Sequence, residues 1–444
     1  MKRVINRYFS LLICLAFVFS LTVFPISSTS VSAPPANSLI TEVRGVWLTN
    51  VASGVLFVPW GIERAINQLA KLNFNTIYPV VWNRGLTFYH SNLAKRVTGL
   101  KTQPLVDFMN GGNDVLEKIV RLSKRHNMSV IPWFEYGFMT PRNSALAKLH
   151  PEWLTNGQKG VNSVNEKLPE EIGNNGAFNN QLWLNPLHPQ VQKFILGLIL
   201  EVVKKYDVDG MQIDDHFGMP VQFGYDSFTV NLYKKEHSGK SPPTDYFNEE
   251  WMRWRANKIT DFMVKINQEV KKIKPDAKIS LSPNSQYFSY KYYLQDWDTW
   301  VNENLIDDLI LQVYRDEAKA FITEIEKPAV KSAMTKIPVS IGISTGTLLT
   351  PVDIESIKEK VQIVRDHKFL GVSFFYWESL WGYISPESPQ KRRNAFLDMF
   401  ANHAVQPVKF KPIKVNPVKV KPTKNTKSGK YRGKNAISNQ KKPK

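Results

Sequence analysis

The stretch PQVQKFILGLILEVVKKYDVDGMQIDDHF, residues 189–217, holds one complete helix-to-strand step, and the rest of the chain is read outward from it. Val191, Phe194, Ile195, Leu198 and Val202 recur at helical spacing, and Pro189 stands where the first turn of a helix has no use for an N–H. After Tyr206 the pattern changes. Residues 208–216 form a short apolar run that ends on two adjacent carboxylates, Asp214 and Asp215, and then His216.

The same step recurs along the chain. Short apolar runs lie at 43–50, 75–82, 128–138, 208–216, 277–284, 306–315, 338–346 and 369–378. Several are apolar on both parities, as in Leu309-Ile310-Leu311 and Val372-Ser373-Phe374-Phe375, which marks strands covered on both faces. Helical stretches alternate with them at 63–72, 114–127, 189–206, 247–274, 292–304, 317–335, 352–367 and 389–402. Eight strand–helix units predict an α/β fold, a (β/α)8 TIM barrel. An open doubly wound sheet is the competing architecture, but no G-x-G-x-x-G or P-loop follows any strand. The loops after strands 3 and 4, at 139–185 and 217–244, are long and are expected to wall a substrate groove at the C-terminal face. The first carries Gly173-Asn174-Asn175-Gly176, a run expected to be mobile.

The 444 residues are 43% hydrophobic and 12% aromatic, enough for a large core, so wholesale disorder is excluded. A single cysteine, Cys14, excludes a disulfide framework and a cysteine-rich zinc site. The net charge of +19 is terminal. Lys2, Arg3 and Arg7 stand in 1–33 and thirteen cations in 405–444, with no acid in either, which leaves +3 for the body at 34–404. A body so nearly neutral argues against a specific nucleic-acid surface.

Residues 1–33 read as a signal peptide: a basic start, an apolar stretch at 9–25, then small residues up to Val31-Ser32-Ala33. An uncleaved anchor is the alternative, since the stretch sits at the lower length limit for crossing a bilayer. The expected location is periplasmic, envelope-associated or secreted. The Lys/Pro-rich tail at 405–444 is expected to be disordered. It is either a solvated spacer or an electrostatic contact for an anionic envelope polymer or membrane surface.

Chemistry gathers where strands run into loops. Besides Asp214 and Asp215, the third run continues Trp133-Phe134-Glu135-Tyr136 and the eighth ends Tyr376-Trp377-Glu378. Carboxylates among tryptophans, amides and arginines form a carbohydrate-site composition, because aromatic faces cover sugar rings and polar groups bind hydroxyls. Glycoside hydrolysis needs one protonated and one ionised carboxyl group. The catalytic candidates are Asp214, Asp215, Glu135 and Glu378. The substrate-binding candidates are Trp47, Asn50, Trp82, Arg84, Trp133, Tyr136, His216, Asn284, Gln312, Tyr314 and Trp377. Plainer roles stay open: a salt bridge from Asp214 to Arg84 or Arg315, a loop cap at Asp215, a structural arginine partner for Glu135, an orienting role for Glu378, and barrel-top packing for Trp47, Trp82, Trp133 and Trp377. No H-E-x-x-H motif or Cys–His pair occurs, and no cofactor is expected. Asp214, Asp215 and His216 could in principle ligate a divalent ion, but adjacent residues seldom converge on one, and no metal is expected.

Three segments carry a family resemblance: Val43-Arg44-Gly45-Val46-Trp47-Leu48-Thr49, then residues 206–217 with their Asp-Gly-x-x-x-Asp-Asp-x-Phe core, then Ser282-Pro283-Asn284. Together they resemble the glycosyl hydrolase-like family 10 domain of bacterial envelope proteins, over about residues 40–380. The resemblance implies a TIM barrel, export and glycosidase activity, which some members exert on peptidoglycan glycan strands that have lost their stem peptides. It implicates Asp214 and Asp215, with Asn284, Gln312 and Tyr314 lining the cleft. Many relatives have Trp-Phe-Asn where this chain has Trp133-Phe134-Glu135, and they often lack a glutamate matching Glu378. The expected function is an exported glycoside hydrolase acting on an envelope polysaccharide. The reading from another class is a carbohydrate-binding or cell-wall adhesion protein without turnover.

Overall fold

Each apolar run yields a strand at its centre. The computed structural model describes residues 40–160, 181–347, 350–381 and 386–406. The expected signal peptide, the Gly173–Gly176 run and the residues beyond 406 lie outside the described residues. The barrel strands are β1 (Val43–Leu48), β2 (Thr76–Asn83), β3 in two pieces (Ser129–Val130 and Trp133–Phe134), β4 (Gly210–Asp214), β5 (Lys278–Ser282), β6 (Asp308–Gln312), β7 (Val339–Ser344) and β8 (Gly371–Phe375). All neighbours pair in parallel, and β8 closes on β1 through Gly371↔Val43 to Phe374↔Val46. The fold is a TIM barrel.

The third strand is interrupted at Pro132, which has no N–H to give the ladder, and the β2–β3 register shifts between Val80 and Trp82. Two predicted helices are each divided. Leu294, with φ of 55°, ends Gln286–Tyr293 before Trp297–Asn302 begins. Pro328 opens Pro328–Met334 after Ala318–Ile325 has ended. The other predicted helices appear as Pro59–Lys71, Val115–Arg125, Pro189–Lys205, Glu249–Ile273, Ile354–Asp366 and Pro389–Met399.

Side chains fill the barrel interior, as a closed eight-stranded sheet requires. Trp47 stacks on Tyr78 at 5.2 Å and donates its Nε1–H to Gln212 Oε1 at 2.7 Å, and Gln212 in turn donates to Ser280 Oγ at 3.0 Å. The buried interior is thus cross-linked at mid-height, and the space above it, at the strands' C-terminal ends, is left for chemistry.

The two long connections are only partly irregular. The connection after β3 contains an antiparallel pair, Met139–Pro141 with Gln181–Trp183, and a helix at Ala145–Leu149. The connection after β4 contains the helix Ser227–Glu236, whose N-cap Asp226 also accepts from Thr155 and Asn185 of the first loop. Short strands Ile40–Thr41 and Ala404–Val405 pair in parallel, bringing the two ends of the described chain together.

Candidate active site

Glu135 follows the second piece of β3 and is 5% exposed. Thr49, one residue past β1, places its hydroxyl 3.1 Å from both carboxylate oxygens, and Asn83, the last residue of β2, donates to Oε2 at 2.6 Å. Asn83 donates as well to Asn50 Oδ1 at 2.7 Å, so Asn50 anchors the holder of Glu135. Burial pushes the Glu135 pKa up to about 8, and the charge of Asp214 adds to the rise, while Thr49, Asn83 and His216 pull against it.

Asp214 is the last residue of β4 and is 1% exposed. Its carboxylate accepts from the His216 backbone N–H at 3.0 Å and faces His216 Nδ1 at 3.5 Å. Burial raises its pKa to about 7 against the lowering pull of His216, and Asp215 adds to the rise. The Asp215 side chain is 21% exposed, meets His216 Nδ1 at 2.9 Å and accepts from Asn284 Nδ2 at 2.6 Å. Burial disfavours a charged His216, but the two aspartates outweigh it and lift the imidazole well above its usual range. Tyr314, stacked on Phe375 at 5.6 Å, has its phenol pKa raised first by burial and then by the charges of Asp215, Asp214 and Glu135. Gln312 donates to the Ser282 carbonyl at 2.8 Å and supports the β5–β6 rim beside Asn284.

Tyr136 lies between Arg84 and His216, with the guanidinium 5.4 Å from its ring and the imidazole 4.9 Å away. Gly137 follows at φ of 42°, and a Cβ there would stand 2.5 Å from the His216 carbonyl oxygen, so the loops after β3 and β4 touch through a residue with no side chain. Asp214 does not pair with Arg84 or Arg315. Its ion-pair partner is His216, and Arg315 pairs with Glu324 at 3.3 Å.

Glu378 is held by a different set of donors. Its Oε1 accepts from the Ser53 hydroxyl and from the N–H groups of Gly54 and Val55 at 3.0 and 3.1 Å, tying the loop after β8 to the loop after β1. Burial raises its pKa to about 7 against those three donors. The tryptophans divide as well. Trp82 turns outward onto Phe194 and donates to the Gly137 carbonyl, and Trp47 is locked below the site. Both are fully buried and offer no open ring face. Trp133 packs edge-on against Phe375, and its buried Nε1–H has no hydrogen-bond partner. Trp377 packs against Trp381 at 5.4 Å.

Asp214, Asp215 and His216 offer ligand atoms within 4.8 Å of one another, yet that proximity is already explained by their mutual hydrogen bonds. Thr49 and Asn83 were not among the predicted site residues. Their one signal in the sequence is a polar residue placed directly at the end of a buried strand.

Carboxyl groups from β3 and β4 at the C-terminal rim of a closed parallel barrel define a glycosidase-like TIM-barrel protein. The glycosyl hydrolase-like 10 model matches residues 42–364, and the chain belongs to that family. It is 22% identical to glycosyl hydrolase YngK of Bacillus subtilis over 313 residues, 62% of this chain and 54% of YngK. It is 23% identical to glycosyl hydrolase DigH of Escherichia coli K12 over 345 residues, 64% of this chain and 68% of DigH. The chain therefore spans about half the length of one relative and about two thirds of the other. In fold it is similar to the glycoside hydrolase domain of PgaB (BpsB) from Bordetella bronchiseptica, with a TM-score of 0.56 and 13% identity over 79% of this chain and all of that one.

Proposed function

We propose that this protein hydrolyses glycosidic bonds in an envelope polysaccharide, and that its substrate is the glycan strand of peptidoglycan. Glu135 carries the reading. A buried carboxyl group whose pKa lies near 8 keeps its proton at neutral pH, which is what protonation of a leaving oxygen requires. Asp215, the more open of the two aspartates and held by Asn284 and His216, supplies the carboxylate that attacks the anomeric carbon or activates water. Asp214 keeps His216 in place and raises the Glu135 pKa by its charge. Tyr314 and Tyr136 present their hydroxyls to the sugar. The relatives named glycosyl hydrolase support the reaction class, and the leader at 1–33 supports export.

The test is release of reducing ends from peptidoglycan glycan strands freed of stem peptides. The wild type is expected to release them, and Asp214→Asn combined with Asp215→Asn to lose at least about a thousandfold. Equal activity in the double variant rejects the assignment. Binding of the strands by the wild type with no release of ends would make the barrel a sugar-binding protein.

A further inference from the structure

Arg84 is a cation at the rim with no carboxylate partner among the described residues. It and Gly85 are the two central residues of a tight hairpin, in which Asn83 pairs with Leu86 and both φ angles are positive, 52° and 76°. The hairpin tip is seated firmly: a Cβ on Gly85 would meet Thr140 Oγ1 at 2.6 Å. This turn puts Arg84 directly after Asn83, which holds Glu135, and against Tyr136, which follows Glu135. Its Nε–H is buried and has no hydrogen-bond partner. The residue as a whole is only partly buried, so the cation stands at the rim beside the group that holds Glu135. Arg315, the other arginine at a strand end, is already paired with Glu324.

A planar guanidinium that no carboxylate of the described residues pairs matches a ligand carboxylate better than a hydroxyl. We infer that Arg84 recognises a carboxylate borne by a sugar residue of the substrate, so that the site selects acidic over neutral glycan. The inference rests on the hydrolase reading above and narrows it. The ring next to the scissile bond carries the acid, with its carboxylate over Tyr136 and its glycosidic oxygen at Glu135.

The experiment uses the full chain, glycan strands whose muramic rings keep their lactyl carboxylates, and the same strands with those carboxylates amidated. Wild-type kcat/KM is expected to fall about tenfold or more on amidated strands, and Arg84→Gln to cut the acidic strands at that lowered rate with no further loss on amidation. Arg84→Lys, which keeps the charge without the fork, is expected to fall between. Equal wild-type rates on the two substrates, or discrimination retained in Arg84→Gln, overturn the proposal and leave the hydrolase reading standing. If the wild type cuts neither substrate, that reading fails, and pull-down of acidic against amidated strands then tests Arg84 alone: loss of acid preference in Arg84→Gln supports it, and unchanged preference rejects it. Circular dichroism of each variant establishes that it is folded. If Arg84→Gln does not fold, the Arg84→Lys comparison decides by the same criteria.

Discussion

At Glu135 a carboxyl group sits where solvent scarcely reaches, with a pKa near 8 in place of the usual 4.5. Between those two values the folded chain holds a proton that the unfolded chain has released, so this group's contribution to stability falls as pH rises from about 4.5 to about 8. Glu135→Gln is neutral throughout. It is expected to raise stability near pH 8 by up to about 5 kcal/mol, with the gain vanishing below about pH 4.5, while glycan cleavage is lost. Thermal unfolding of both proteins across that range checks this, and a variant less stable than wild type at pH 8 contradicts it. Thr49 donates to the ionised carboxylate and so lowers its pKa. Thr49→Val is expected to move the alkaline limb of kcat/KM to higher pH, whereas a purely structural role would lower kcat without moving the limb. Glu135, Asp214 and Asp215 were legible in the sequence because each follows an apolar run. Thr49 and Asn83 were not, because they stand 86 and 52 residues from the carboxylate they hold, and only barrel closure brings them to it.

Among the elements, the connection after β4 is pinned to the following helix by a buried arginine. Arg255, on helix Glu249–Ile273, is fully buried and donates to the carbonyls of Val221, Phe223 and Tyr246 at 2.5, 2.6 and 2.8 Å, with its guanidinium 4.4 Å from the Trp251 ring. Burial without a facing carboxylate lowers its pKa to about 9. Arg255→Leu would strand three carbonyls and is expected to cost about 3 kcal/mol. Denaturant unfolding measures that loss, and proteolysis is expected to begin within 217–247. Unchanged stability would mean that water replaces the arginine freely. The sequence showed the strands and most helices through their periodicity, yet it overextended the strands. Runs such as 208–216 and 369–378 continue past the last ladder pair, so that Asp215 and His216 in the first of them stand in the turn after the strand. The breaks at Pro132, Leu294 and Pro328 are local backbone events that hydrophobic periodicity does not register.

The whole molecule separates a nearly neutral body from cationic ends, with all thirteen cations of the final stretch beyond residue 406. Deleting 407–444 is expected to leave the thermal midpoint and the cleavage of soluble strands unchanged while abolishing salt-sensitive adsorption to an anionic wall polymer. Adsorption that survives the deletion would assign wall contact to the barrel. Barrel closure was legible as a count of eight alternating units. Which strand ends face one another was not, since register and loop length set that, and the tie of Glu378 to the loop after β1 is the clearest instance. The account centres on acid groups from β3 and β4 acting on one bond. The most direct measurement is a crystal structure of Asp215→Asn with a bound peptidoglycan glycan oligosaccharide. The glycosidic oxygen is expected about 3 Å from the Glu135 carboxyl group, with the anomeric carbon facing residue 215. A sugar chain that runs along the rim without approaching Glu135 would contradict the account.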